Sequence, residues 1–274
     1  IFGKFGFPEL GVQGAAISSV GSRALALIVF FFLLYRVLEV RIKWPYYIKL
    51  SKKYIFQILK IGIPSGFEQV MYQSCQLIFL FYITYLGAEN LAARQYANNI
   101  SMFTYLFAIA VGMGTSIIVG RLVGANKKEE AYRRVWYSVR WSLSITSVMV
   151  ILVIIFRRPI IQIFTNDSTV IDIATTVLLF GLLLETGRSI NIVLVNSLRA
   201  SGDAKYPLFI GMFSMVMMSV PLGYFLVFTL DLGLVGVWLA IAADEWLRAC
   251  IFFLRWRSRK WERHALVEPE AETN

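Results

Sequence analysis

Residues 182–207 read LLLETGRSINIVLVNSLRASGDAKYP. An acid and a base, Glu185 and Arg188, stand three apart in a run dominated by Leu, Ile and Val, and the run closes on a Gly202-Asp203 turn with Arg199 and Lys205 on either side. An ionisable group at mid-bilayer costs about 2.5–3.5 kcal/mol on insertion scales. An acid and a base in such a run therefore mark either a buried pair or a site.

Working outward, the stretch is one of seven apolar runs of membrane-spanning length, placed at about 10–35, 61–86, 91–122, 139–156, 170–198, 207–228 and 232–254. Of the 274 residues 58% are hydrophobic and only 16% charged, and mean hydropathy is +0.65, far from the usual soluble balance. Lipid offers no partner to backbone N–H and C=O groups, and the runs are too long and too free of period-2 alternation for barrel strands. The expected fold is all-α, a polytopic transmembrane helical bundle.

The net charge of +10 is patterned along the chain. Lys and Arg number seven in 36–60, six in 121–140, two in 199–205 and five in 255–263, which are alternate connections of the seven-run map; the intervening loops hold only Lys4, Arg157 and Arg158. By the positive-inside rule the rich connections face the cytoplasm, so the chain ends in a cytoplasmic tail of a protein of the cell membrane. The basic, aromatic stretch RIKWPYYIKLSKKYIFQILK, 41–60, reads as a segment lying on anionic lipid rather than a nucleic-acid face. Cys75 and Cys250 lie in separate runs with no metal-ligand spacing, and the lone His264 sits in the hydrophilic tail.

Residues 9–36, ELGVQGAAISSVGSRALALIVFFFLLYR, align without a gap with 231–258, DLGLVGVWLAIAADEWLRACIFFLRWRS, displaced by 222 residues; Gly11 falls on Gly233, Gly14 on Gly236 and Phe30-Phe31 on Phe252-Phe253. Both copies run from an outer loop to a basic end, so the repeat is parallel, about an axis along the membrane normal. The expected organisation is then the last helix of an N-terminal bundle in 1–36, a cytoplasmic basic and aromatic linker in 37–57, a six-helix C-terminal bundle in 58–257 and a cytoplasmic tail in 258–274. The Gly- and Pro-rich start at Ile1 lacks the features of a signal peptide and reads as the beginning of a fragment.

Polar residues inside the runs mark candidate sites. In IGIPSGFEQVMYQSCQ, 61–76, Pro64 and Gly66 precede Glu68, Gln69, Tyr72, Gln73 and Gln76; at 100° per residue 69, 73 and 76 share a face, with 68 and 72 beside it, as for a wall of a watery cavity. Glu68 is either a packing partner or a carboxylate that exchanges a proton or binds a cation. Asn98 and Asn99, after Arg94 and Gln95, suit interhelical hydrogen bonds or substrate, and Gly112, Gly114, Gly120 and Gly124 suit close helix packing. Glu185, Arg188 and Asn191 share one face; Asp244 and Arg248, at i and i+4 beside Glu245, repeat the arrangement. Arg23 has no local carboxylate, and its counterpart in the repeat, Glu245, is a candidate partner. A nucleophile with a base, paired acids in reach or a metal set is missing from the runs, so the chain does not read as an enzyme.

The phrases KIGIPSGFEQ, LGAENLAARQYANNI, VGMGTSIIVGRLVGANKKEEA, ETGRSINIVLVNSLRASGDAKYP and LGLVGVWLAIAADEWLRACIFFLRWRSRKW, in this order and spacing, resemble the multidrug and toxic compound extrusion (MATE) transporters. The resemblance implies two six-helix bundles around a cleft that opens alternately inward and outward, with export driven by inward flow of Na⁺ or H⁺. It implies that Glu68 is the acid of the cation site in the second bundle's first helix. Glu185 would be a further acid in its fourth helix, with Arg188 leaving free cation binding there open. It places LRASGD at a cytoplasmic corner.

The implied function is a secondary antiporter that exports amphipathic, cationic drugs or metabolites in exchange for Na⁺ or H⁺, with no cofactor beyond that ion. Its partners would be the small-molecule substrate, the coupling cation, membrane lipid and the N-terminal bundle, with no nucleic acid. Two alternatives stand beside it: a lipid or lipid-linked oligosaccharide flippase of the same superfamily, whose cleft should be richer in Arg and Lys, and a seven-span receptor or assembly subunit that transports nothing.

Overall fold

The computed structural model describes residues 11–37 and 52–264, and the side chain of Glu68 together with those of several neighbours in 53–65 lies outside what it describes. Most of the expected linker and the tail beyond 264 also lie outside the described residues. The chain divides into two compact units, Ile1–Leu59 and Lys60–Asn274.

The first unit holds α1 (Gly11–Arg36), with Arg23 midway along it. The second unit is built from most of α2 (Lys52–Tyr85), then α3 (Ala88–Gly124), α4 (Lys128–Gln162), α5 (Ser168–Leu179), α6 (Gly181–Ala200), α7 (Lys205–Thr229) and α8 (Gly233–Arg257), with a 3₁₀ turn at Lys260–His264. The two helices of the sequence repeat start alike. Gly11 and Gly233 each open their helix with φ of +49° and +53°, a left-handed conformation that glycine adopts without a side-chain clash.

The fifth apolar run, expected as one helix, is broken. Asp167 caps α5, its carboxylate accepting from the N–H groups of Thr169 and Val170. Phe180 N–H then turns back to the Val177 carbonyl, and α6 leaves at 48° from α5. Periodicity runs straight through this break, because both halves are apolar and only Gly181 hints at it. In α7, Pro221 lies between two π-helical turns, Met215–Ser219 and Phe225–Thr229. A proline donates no ladder bond, and a wider turn absorbs the mismatch.

By length and composition α1, α3, α4 and α7 qualify as membrane spans, and the bent α5–α6 pair makes a fifth. The expected seven also counted α2 and α8. Both are long enough, at 34 and 25 residues, but α8 carries Asp244, Glu245 and Arg248, and α2 carries its Glu and Gln stripe. A composition test penalises charges that packing neutralises. Large apolar side chains such as Phe81, Phe103, Ile155 and Phe213 are exposed on the outside, as a lipid-facing surface requires.

Packing is centred on α6, which contacts α3, α4 and α8. Two apolar clusters stand at its two ends. One gathers Ile83, Ala97, Ile161, Leu184 and Trp238; the other gathers Val119, Val135, Leu194, Phe252 and Trp256. Between them α2, α3, α4, α6, α7 and α8 contribute polar residues, so the bundle has a polar waist. Gly236 lets α8 close on α7: an added Cβ would lie 3.0 Å from the Leu226 carbonyl carbon. Of the four glycines in α3, Gly112 meets Ile192 and Asn196 tightly and Gly120 approaches Ala200, whereas Gly114 and Gly124 face open space. The close-packing expectation holds for the first pair and fails for the second, which point off the α6 contact.

Candidate functional site

Two helices bring six charged or amide side chains of the described residues together in the waist. α6 presents Glu185, Arg188 and Asn191 on successive turns; α8 presents Asp244, Glu245 and Arg248. Arg188 Nη1 bonds Glu185 Oε1 at 2.8 Å, and its Nε lies 3.5 Å from Glu245 Oε1. Arg248 Nη2 bonds Asp244 Oδ2 at 2.7 Å and lies 3.3 Å from Glu245 Oε1. Asn191 Nδ2 donates to Glu245 Oε2 at 2.6 Å. Glu245 is therefore the hinge of the network, bound by both arginines and the amide.

Burial sets the energetics. Glu185 is 1% exposed and Asp244 3%. Removing ions from water costs several kcal/mol each, and only good pairing repays it. The six residues carry three carboxylates and two guanidiniums, one negative charge in excess if all are ionised. Among the described residues, Glu185 Oε2, Asp244 Oδ1 and Asn191 Oδ1 accept no hydrogen bond, and Arg248 Nε donates none. Unfilled acceptors with a surplus of negative charge suit one further positive charge, whether a proton on a carboxyl group or a bound cation.

The surroundings add aromatic and hydroxyl groups. The Arg188 guanidinium lies 5.0 Å from the Tyr105 ring centroid of α3, a favourable cation–π placement. Ser142 of α4 and Ser189 of α6 share a hydrogen bond of 2.7 Å beside it. A cavity of about 20 Å³ reaches the cluster between α2, α7 and α8, lined by Tyr72, Cys75, Gln76, Ser219, Asp244 and Glu245 among others. That is room for about one water molecule or one dehydrated small cation.

The expected residues are placed unequally. Glu185, Arg188, Asn191, Asp244, Glu245 and Arg248, read in the sequence as two separate arrangements, come together. Within the stripe of α2, Tyr72 and Gln76 turn toward the cavity; Gln76 Nε2 donates to the Tyr72 hydroxyl at 2.9 Å and its Oε1 accepts from Arg94 at 3.3 Å. Gln69 and Gln73 are exposed on the surface of this unit, as are Asn98 and Asn99, the latter accepting from Gln95 at 3.3 Å. The Glu68 side chain lies outside the described residues. Glu245, the expected partner of Arg23, is held by Arg188, Arg248 and Asn191, while Arg23 belongs to the other unit.

Tyr105, Ser142 and Ser189 were missed by sequence reasoning. A tyrosine or serine in an apolar helix costs little, so nothing marks it until a charged partner is placed. The LRASGD corner is also more than a turn. Asp203 is buried and accepts from Arg255 Nε at 2.8 Å, and the Arg255 guanidinium sits 4.4 Å from the Tyr206 ring centroid.

Known proteins share this architecture. The MatE family model matches residues 64–225, more than half of the chain. A Bacillus subtilis (strain 168) protein described as the uncharacterized transporter YisQ is 38% identical over 261 residues, covering 95% of this chain and 57% of that protein. A Thermotoga maritima protein described as "Probable multidrug resistance protein NorM" is 28% identical over 277 residues, covering 98% of this chain and 58% of that protein. A solved multidrug resistance MATE family transporter of the MOP superfamily, in an outward-facing conformation, superposes with a TM-score of 0.78 at 21% identity, covering 91% of this chain and 56% of that one; at that identity it speaks for the fold alone. The chain thus spans under 60% of the length of these relatives. With the family match over more than half of the chain, α6 of the waist included, and apolar helices fit to cross a bilayer, the chain is a multi-pass membrane protein that belongs to the MatE family of transporters.

Proposed function

We propose that the chain works as part of a secondary antiporter that exports amphipathic, cationic compounds in exchange for Na⁺ or H⁺, with the waist carboxylates as an ion-coupling site. The observation that carries this reading is the uneven charge of the waist, three buried carboxylates against two guanidiniums. Membership of the MatE family and relatives named for multidrug resistance support the substrate class.

The mechanism follows from the cost of that uneven charge. With no added cation the surplus charge is destabilised by burial, so the bundle favours a conformation that admits water to it. A proton or Na⁺ from outside neutralises it and favours a closed waist. Coupling needs only that the ion bind the two conformations unequally. Glu185, with one oxygen unbonded among the described residues, is the waist residue assigned to receive the ion; Arg188 bonded to its other oxygen orients it. Glu68 stays in the proposal as the second coupling carboxylate, on its resemblance to the family's acid. Tyr72, Gln76 and Asn191 would shape the cavity wall, with Gln69, Gln73, Asn98 and Asn99 available to substrate.

The test is efflux by the full-length protein in proteoliposomes, with a panel of organic cations and separately imposed Na⁺ and pH gradients. Export driven by one gradient in the wild type, abolished in Glu185→Gln and Glu68→Gln, is the expected result. Gradient-driven export that survives Glu185→Gln unchanged removes the waist from coupling, and an absence of gradient-driven export of any cation in the panel removes the antiporter reading.

A further inference from the structure

One face of α4 changes character along its length in the order of a phospholipid. Arg133, Arg134, Tyr137, Arg140 and Trp141 lie within about 120° of one another around the helix, taking 100° per residue, and all are exposed. The same side continues toward the other end with Val148, Leu152 and Ile155, also exposed. Basic groups are followed by aromatic rings, and these by aliphatic side chains. At 1.5 Å per residue, Arg133 stands about 10 Å beyond Arg140, and Arg140 about 25 Å from Arg157. The first distance is close to the depth of a headgroup layer and the second, with both arginines snorkelling, to a hydrocarbon core.

The charges on this face are not all spent on carboxylates. Glu129 takes Arg133, at 3.0 Å, and Arg259; Glu130 takes Lys127 at 3.1 Å. Arg134 and Arg140 pair with no carboxylate among the described residues. Arg134 instead lies over Tyr137, its guanidinium 5.4 Å from the ring centroid, and Tyr137 meets Trp141 edge to face. Glu130, Arg133, Arg134 and Tyr137 line a shallow groove. Two uncommitted arginines, Arg134 and Arg140, on one face with the Tyr137 and Trp141 rings, and an aliphatic strip leading away from them, fit a molecule that carries a phosphate at one end and hydrocarbon at the other.

We propose that this face of α4 is a binding site for one anionic phospholipid, its phosphate held by Arg134 and Arg140 and its acyl chains along Val148, Leu152 and Ile155. The site is separate from the waist and independent of the transport reading, since it requires only that α4 lie in a membrane. Zwitterionic lipid offers the same phosphate but cancels it with its own ammonium group. Two uncommitted arginines therefore discriminate between the two headgroups.

The experiment is native mass spectrometry of the full-length protein in detergent with equal amounts of phosphatidylglycerol and phosphatidylcholine. Two arginines near a lipid surface predict a preference for phosphatidylglycerol of roughly 25-fold. It should fall to near unity in the Arg134→Gln/Arg140→Gln variant, stay intact in an Arg157→Gln/Arg158→Gln control, and decline with added NaCl in the wild type. The NaCl series needs no variant, so it decides the matter even if the double variant folds poorly. Equal retention of both lipids by the wild type, a preference that survives the double substitution, or displacement of the lipid by millimolar inorganic phosphate would each overturn the proposal.

Discussion

Two of the regions where arginine meets carboxylate in this bundle, the waist and the basic end, differ in balance and in burial. At the waist, Arg188 and Arg248 face the buried carboxylates of Glu185, Asp244 and Glu245. At the basic end, Arg133 and Arg259 share Glu129, and Lys127 pairs with Glu130, all in water. Pairs of the second kind gain little, because water screens them and long side chains lose freedom. The waist pairs hold charge where losing one partner strands another. The same chemistry is thus a surface decoration in one place and a poised device in the other.

The largest break in that comparison is Arg248→Met. It leaves Asp244 and Glu245 buried with Arg188 as the one waist arginine remaining, and breaking such a pair costs about 3–5 kcal/mol; thermal unfolding of the full-length protein in detergent should show a large drop. Adding Asp244→Leu to Arg248→Met should recover part of that loss, because the stranded charge goes as well. A double variant no more stable than the single would mean that Asp244 is not held by Arg248.

Trp261→Ala probes the basic end through its packing. Trp261 is wholly buried and stacked on Trp256 at 4.3 Å between centroids. Removing a buried tryptophan costs about 3–5 kcal/mol where the site does not collapse. Here the loss should fall in the lower part of that range, because the ring closes the end of the bundle.

Gly236→Ala tests helix contact without touching charge. Its Cβ would press on Leu226 backbone, and overpacking of this kind costs about 1–3 kcal/mol. The smallest effect is expected of Glu129→Gln, which breaks the exposed pairs with Arg133 and Arg259. The melting temperature should not move measurably, and a drop as large as that of Arg248→Met would erase the distinction between the two regions.

Much of this was legible in the sequence, for a physical reason. Apolar length, basic loops and the 222-residue repeat are one-dimensional signals, and the shared left-handed glycines at Gly11 and Gly233 show the repeat reaching into backbone geometry. Glu185 with Arg188, and Asp244 with Arg248, were readable because helix periodicity sets partners three and four apart. That Asn191 reaches Glu245, 54 residues away, follows only from how α6 packs on α8. The break at Phe180 and the π turns around Pro221 were hidden for a related reason, since both are local departures that neighbouring helices stabilise rather than composition.

If the surplus negative charge of the waist takes up the coupling ion, a substrate that favours the ion-free conformation lowers the ion's affinity. Reciprocity of binding makes this measurable without a membrane. An amphipathic cation such as tetraphenylphosphonium, added to the detergent-solubilised full-length protein in weak buffer, should release protons or Na⁺ in proportion to protein, detected by a pH dye or a Na⁺ electrode. Release is expected from the wild type and a clearly smaller release from Glu185→Gln. Equal release from both proteins would contradict it.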